Sequence, residues 1–138
     1  MTTVKELMTP DPIVLETTET IHAAAQRMRD ADVGAVLVES GGTLRGIVTD
    51  RDVVVRAVAD ALDPQEVTVG QALSGELVAV GPDDTIADAI GVMRERAVRR
   101  VPVVDDGVAV GILSLGDLAQ RRDPESVLGD ISAAPPNE

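Results

Sequence analysis

Phenylalanine, tyrosine, tryptophan and cysteine are all missing from the 138 residues. Without aromatic rings the core must be assembled from Val, Ile, Leu, Ala and Met. A flat ligand could only lie between aliphatic walls. Without cysteine there is no disulfide, no thiolate metal site and no cysteine nucleophile. Histidine occurs once, at His22. One histidine and no cysteine argue against a zinc site, and no nucleophile–base pair can be built around it. No metal, no catalytic residue and no enzymatic activity are therefore expected. Basic residues are few: 12 Lys and Arg stand against 24 Asp and Glu, a net charge of −12. Such a surface repels phosphate backbones and anionic lipids, so neither nucleic acid nor membrane is an expected partner. Apolar runs long enough to span a bilayer are absent. The opening "MTTVKELMTPDP" lacks the apolar stretch of a conventional signal peptide, which makes a cytoplasmic protein the expectation.

What is present is a hydrophobic fraction of 44%, enough for a folded core, and a repetition. Shifted by 65 residues, positions 4–59 lie over 69–124 without a gap, and 14 of the 56 pairs are identical. Among them are Thr20/Thr85, Ile21/Ile86, Ala24/Ala89, Met28/Met93, Gly46/Gly111 and Asp52/Asp117. Two copies are too few for a solenoid and suit a pseudo-twofold pair. Each copy reads β-α-β-β-α. An extended piece, "PIVL" or "LVAV", comes first. A helix follows, with Ile21, Ala24, Ala25 and Met28, or Ile86, Ala89, Ile90 and Met93, on one face. Thr18 and Asp83 are its expected N-caps. Two strands joined by the glycine turns "SGGT" and "DDGV" come next, then a closing helix. The fold class expected is α+β, with both repeats packed as one module. The expected bounds are 1–62 for the first repeat and 63–123 for the second, with "DALDPQE" as linker. Residues 124–138 are read as a partly disordered tail, holding at most a short turn at Val127–Ile131. His22 falls on the polar side of the first helix, and the turn glycines are no phosphate loop, since no Gly-Lys-Ser follows. The closing helix of the first copy carries Val53, Val54, Val55, Ala57 and Val58, apolar nearly all round, and is expected to be buried on more than one side.

The phrase "GIVTDRD" (Gly46–Asp52) returns as "GILSLGD" (Gly111–Asp117) at the junction of strand and helix. A hydroxyl begins the helix and a carboxylate follows one turn later, beside first-turn N–H groups that lack intrahelical partners. A carboxylate can accept two hydrogen bonds from the vicinal hydroxyls of a ribose. A nucleoside-phosphate clamp is one reading of the phrase. A helix-capping box is the other.

Over residues 1–123 the chain resembles the CBS-domain family as a tandem pair, or Bateman module. The resemblance rests on "LMTPDPIVL", the two strand–helix phrases and "VRRVPVVDD", in order. It looks most like the small stand-alone pairs of actinobacteria, the hypoxic-response type among them. The resemblance implies a regulatory module that binds AMP, ADP, ATP or S-adenosylmethionine in the cleft between the repeats. It implies that Asp52 and Asp117 hold ribose hydroxyls and that Thr49 and Ser114 touch ribose or phosphate. Arg99 and Arg100 would approach the phosphates, and Ile13, Val14, Val33, Gly34, Ala35, Val78, Ala79 and Val98 would line the adenine pockets. Because Arg99 and Arg100 align with Gly34 and Ala35, the sites should be unequal, with phosphates favouring the one that includes Asp117. A homodimer through the helices and an unknown protein partner are also implied. The alternative is a ligand-free dimeric scaffold whose motifs only cap helices.

Overall fold

The computed structural model describes residues 2–73 and 77–122, with side chains as far as Gln120. The expected turn at Val127–Ile131 and the disordered tail lie outside these residues. Most elements of the repeat recur at the same 65-residue offset. Helix α1 (Val4–Leu7) matches α4 (Val69–Ala72), and α2 (Ile21–Ala31) matches α5 (Ile86–Arg96). Strands β3 (Ala35–Ser40) and β4 (Thr43–Thr49) match β5 (Arg100–Asp105) and β6 (Val108–Ser114). The closing helices α3 (Asp50–Val53) and α6 (Leu115–Arg122) begin at matching positions.

Two compact units result, and they part at other places than the repeats do. One, here the first unit, is Pro12–Leu77. The second draws on Met1–Asp11 and Val78–Glu138. The chain thus crosses between units at Asp11–Pro12 and Leu77–Val78. The hydrogen bonds give the reason. "DALDPQE" is no free linker: His22 donates its N–H to Pro64, Ile21 to Val67, Val69 to Glu19 and Gly70 to Thr17. At the other end, Val4 donates to Asp84, Lys5 to Pro82 and Ile86 to Thr2. The short helix that leads each repeat therefore completes the unit of the other repeat. Residues 2–11 form an arm on the second unit.

In the first unit a three-stranded sheet runs β2 (Val14–Glu16), β3, β4, with β2 parallel to β3 and β4 antiparallel. In the second it runs β1 (Thr9–Pro10), β6, β5, all antiparallel. The expected opening strand of the second copy shrinks to a bridge between Val80 and Val103. Proline explains this. In the first unit Leu37 donates its N–H to Ile13. Pro102 occupies the matching place and has no N–H to give.

Hydrophobic alternation places the cores. Leu15, Ile21, Ala24, Met28, Val36, Val38 and Val48 are buried together in the first unit. Val4, Ile86, Ala89, Met93, Val101, Val103 and Leu113 are buried together in the second. Both methionines are core, as their helical spacing predicts, and His22 is exposed. Both hairpins turn through two left-handed residues, Gly41–Gly42 and Asp106–Gly107, whose twist suits paired strands. The N-caps differ from those expected. Thr20 accepts from the Ala23 N–H and Thr85 from the Asp88 N–H, each two residues beyond Thr18 and Asp83. Buried Ile21 and Ile86 are the first helical residues, which leaves the extended threonines before them as caps. The closing helix of the first copy also departs from expectation. After α3 it widens into a π-turn over Val54–Val58, and Val54, Val55 and Val58 are 56, 45 and 60% exposed. Only Ala57 of that segment is fully buried. The run Val53–Val55 is β-branched throughout, which crowds an α-turn.

Candidate functional site

Each repeated phrase is built the same way. Its strand (β4 or β6) delivers glycine, two aliphatics and a hydroxyl, and its helix then supplies the aspartate. At Thr49 the capping box is closed: Asp52 N–H donates to Thr49 Oγ1 at 3.2 Å, and Thr49 N–H donates to Asp52 Oδ2 at 2.9 Å. The Thr49 hydroxyl donates to the same Oδ2 at 3.0 Å. The other oxygen, Oδ1, faces Arg56 Nε at 3.6 Å. At Ser114 the pattern repeats: Asp117 N–H donates to Ser114 Oγ at 3.1 Å and Ser114 N–H donates to Asp117 Oδ2 at 2.9 Å. Here Oδ1 lies 3.5 Å from the Thr9 hydroxyl, on the arm. The capping reading thus accounts for one carboxylate oxygen in each unit. The second oxygen keeps acceptor capacity in both, since a carboxylate offers about four lone-pair directions.

The glycine of the phrase has its own cause. A Cβ on Gly111 would stand 2.6 Å from Met8 Sδ and 2.8 Å from the Thr9 carbonyl oxygen. A Cβ on Gly46 would meet Leu73 Cδ2 at 3.1 Å. In each unit the glycine admits the segment that arrives from outside its own copy.

Backbone pairing sets the remaining candidates beside these motifs. Arg100 is the ladder partner of Ser114, and Arg99 accepts the Leu115 N–H at 2.9 Å. In the first unit Ala35 partners Thr49 and Gly34 accepts the Asp50 N–H at 2.9 Å. The scaffolds match, and the basic pair flanks only the second motif. Arg99 is exposed and Arg100 half-buried. Ile13 is half-buried against the first core and accepts the Leu37 N–H; Val14 begins β2, and Val33 is 39% exposed. In the second unit Val78 packs on the core and Ala79 is exposed. Val98 packs on the same core, and with Ile90, Met93, Arg94, Leu115, Leu118 and Ala119 it lines a cavity of about 400 Å³ against α5 and α6. So each unit gathers its own half of the expected set. Sequence reasoning missed two neighbours of the carboxylates, Arg56 and Thr9. Arg56 was signalled by its i+4 spacing from Asp52. Thr9 could not be found locally, because it lies 108 positions from Asp117.

A family model for the CBS domain matches residues 4–58 and again 69–123. The chain is 40% identical over 119 residues to the CBS domain-containing protein YhcV of Bacillus subtilis, covering 86% of this chain and 84% of that one. It is 34% identical over 134 residues to hypoxic response protein 1 of Mycobacterium tuberculosis, covering 96% and 94%. Among solved structures it is similar to hypoxic response protein I with two coordinated zinc ions, at a TM-score of 0.77 and 35% identity. That match covers 87% of this chain and 98% of the other. The chain belongs to the CBS-domain family as a tandem pair, a class of regulatory and signal-transduction modules that in general are not catalysts. Zinc is a property of that solved relative. Among the described residues here, no group of three or more His, Asp or Glu side chains is placed to hold a metal. No helix among them is long and apolar enough to cross a membrane.

Proposed function

We propose that this protein is a stand-alone CBS-pair regulator that binds an adenosine-containing ligand: AMP, ADP, ATP or S-adenosylmethionine. One observation carries the reading. In both units the motif carboxylate spends one oxygen on its helix cap and keeps the other for a further donor. Asp52 and Asp117 take the ribose hydroxyls, and Thr49 and Ser114 lie within reach of ribose or phosphate. Arg99 and Arg100 flank the second motif by strand pairing, so a phosphorylated ligand prefers Asp117. Aliphatic Ile13, Val14, Val33, Gly34, Ala35, Val78, Ala79 and Val98 supply adenine with walls but no ring to stack on. Occupancy regulates only if the ligand prefers one conformation over another. The exposed Val54, Val55 and Val58 support association into a homodimer, and the output passes to a protein partner in the cytoplasm.

Isothermal titration with each of the four ligands tests this. It suits a chain with no intrinsic aromatic fluorescence. At least one ligand should bind, and at 100 times its Kd should stabilise the protein by about 2.7 kcal/mol. In the Asp52→Asn/Asp117→Asn double variant, losing charge-assisted hydrogen bonds should weaken binding by about 10-fold or more. Silence from all four would leave the second reading, a ligand-free scaffold, which the closed capping boxes favour. Light scattering tests the dimer. A dimer at micromolar concentration that Val54→Asp/Val58→Asp converts to monomer is expected; a wild-type monomer would sink it.

A further inference from the structure

The arm of the second unit reaches the candidate carboxylate. Strand β1 pairs Thr9 with Ile112 and Pro10 with Gly111. This register sets the Thr9 hydroxyl 3.5 Å from Asp117 Oδ1, the oxygen the helix cap leaves over. The arm is also seated firmly elsewhere. Val4 is fully buried, Leu7 and Met8 pack on the same core, and Lys5 Nζ lies 3.1 Å from Asp83. Asp11, next to the crossing into the first unit, holds a left-handed φ of 55° that favours glycine. The arm is thus a discrete element, tied at one end and resting on Asp117 near that end.

We propose that Thr9 is a positioning residue for Asp117, and that docking of the arm is energetically coupled to whatever the Asp117 carboxylate holds. The ligand half of this rests on the adenosine reading above. By linkage, a ligand that needs Asp117 held in place by Thr9 must in turn hold the arm closed.

The sequence supplies its own reporter. Lys5 is the single lysine of the chain. It lies inside α1, with its N–H bonded to Pro82, so a lysine-specific endoproteinase can cut only when the arm opens. Under fast reclosing, the cleavage rate follows the open population. Full-length wild type, Thr9→Ala, Thr9→Ser, Asp117→Asn and Thr9→Ala/Asp117→Asn would be compared, first without ligand. The contact is long for an O–H···O hydrogen bond, so the lower end of the usual net strength applies and predicts cleavage about 2-fold faster for Thr9→Ala, with Thr9→Ser near wild type. In the Asp117→Asn background the Thr9→Ala effect should shrink. An additive cycle, with Thr9→Ala equally effective in both backgrounds, overturns the coupling and leaves Thr9 a plain strand residue. AMP is then added. If it binds the wild type, it should slow cleavage after Lys5, and Thr9→Ala should weaken AMP by a similar factor of about 2, rescued by Thr9→Ser. AMP binding with unchanged cleavage overturns the linkage. Absence of AMP, ADP, ATP and S-adenosylmethionine binding to wild type defeats the adenosine reading instead, and the ligand-free cycle still decides the Thr9–Asp117 contact.

Discussion

Gly111→Ala should destabilise the protein by about 1–3 kcal/mol, the range for forcing extra volume into a packed place. The new Cβ would lie 2.8 Å from a backbone oxygen, that of Thr9, and 2.6 Å from Met8 Sδ. Backbone cannot step aside without breaking the pairing of β1 with β6. Gly46→Ala is the internal control. It occupies the same place in the phrase, but its nearest neighbour is the far end of the Leu73 side chain at 3.1 Å. That end can rotate, so the loss should be the smaller of the two. Urea denaturation followed by far-ultraviolet circular dichroism reads both. Equal losses would mean that the arm is not seated against Gly111. Gly111→Ala should also speed cutting after Lys5, because it pushes on the arm directly.

The second large effect belongs to the other core. Ile21 is fully buried: it is 0% accessible and packed with Leu15, Ala24, Val36 and Val48. Ile21→Ala removes three carbon atoms from this setting and should lower stability by about 2–5 kcal/mol. The adjacent His22→Ala should stay within about 0.5 kcal/mol, as changes at exposed positions usually do. The same urea titration measures the pair. A small loss at Ile21 would show that the first helix does not bury the face its periodicity defines. The contrast between neighbours matters more than either number, since both act on the same helix turn.

Much of this fold can be read in the chain. The 65-residue offset rests on comparing the chain with itself, the apolar faces of α2 and α5 and the two glycine turns rest on local spacing, and each appears in place. Local spacing also explains what was readable in the motifs, a hydroxyl followed three residues later by a carboxylate. The helices α1 and α4 were legible in principle: Thr3 with Glu6 and Thr68 with Gln71 carry capping spacing, and Glu6 and Gln71 do accept the threonine N–H groups. Their destinations were not legible. That Val4 fills a core made by residues 80–118 is a matter of tertiary pairing, which no window of sequence contains. The same holds for Thr9 and Asp117. Pro102 shows the opposite case, a single residue whose missing N–H could have announced the loss of a strand.

The crossing of the arm also bears on the order in which the protein can be completed during synthesis. The first unit, Pro12–Leu77, has all its residues once that stretch has left the ribosome. The arm is made before any of it, yet its partners, from Pro82 to Asp117, are made after it. Val4, Leu7 and Met8 must therefore wait for their core while the whole first unit is built, and closing so long a loop is slow compared with local pairing. The arm is thus made before the core that receives it, and for that interval its apolar side chains lack the partners that cover them in the folded protein.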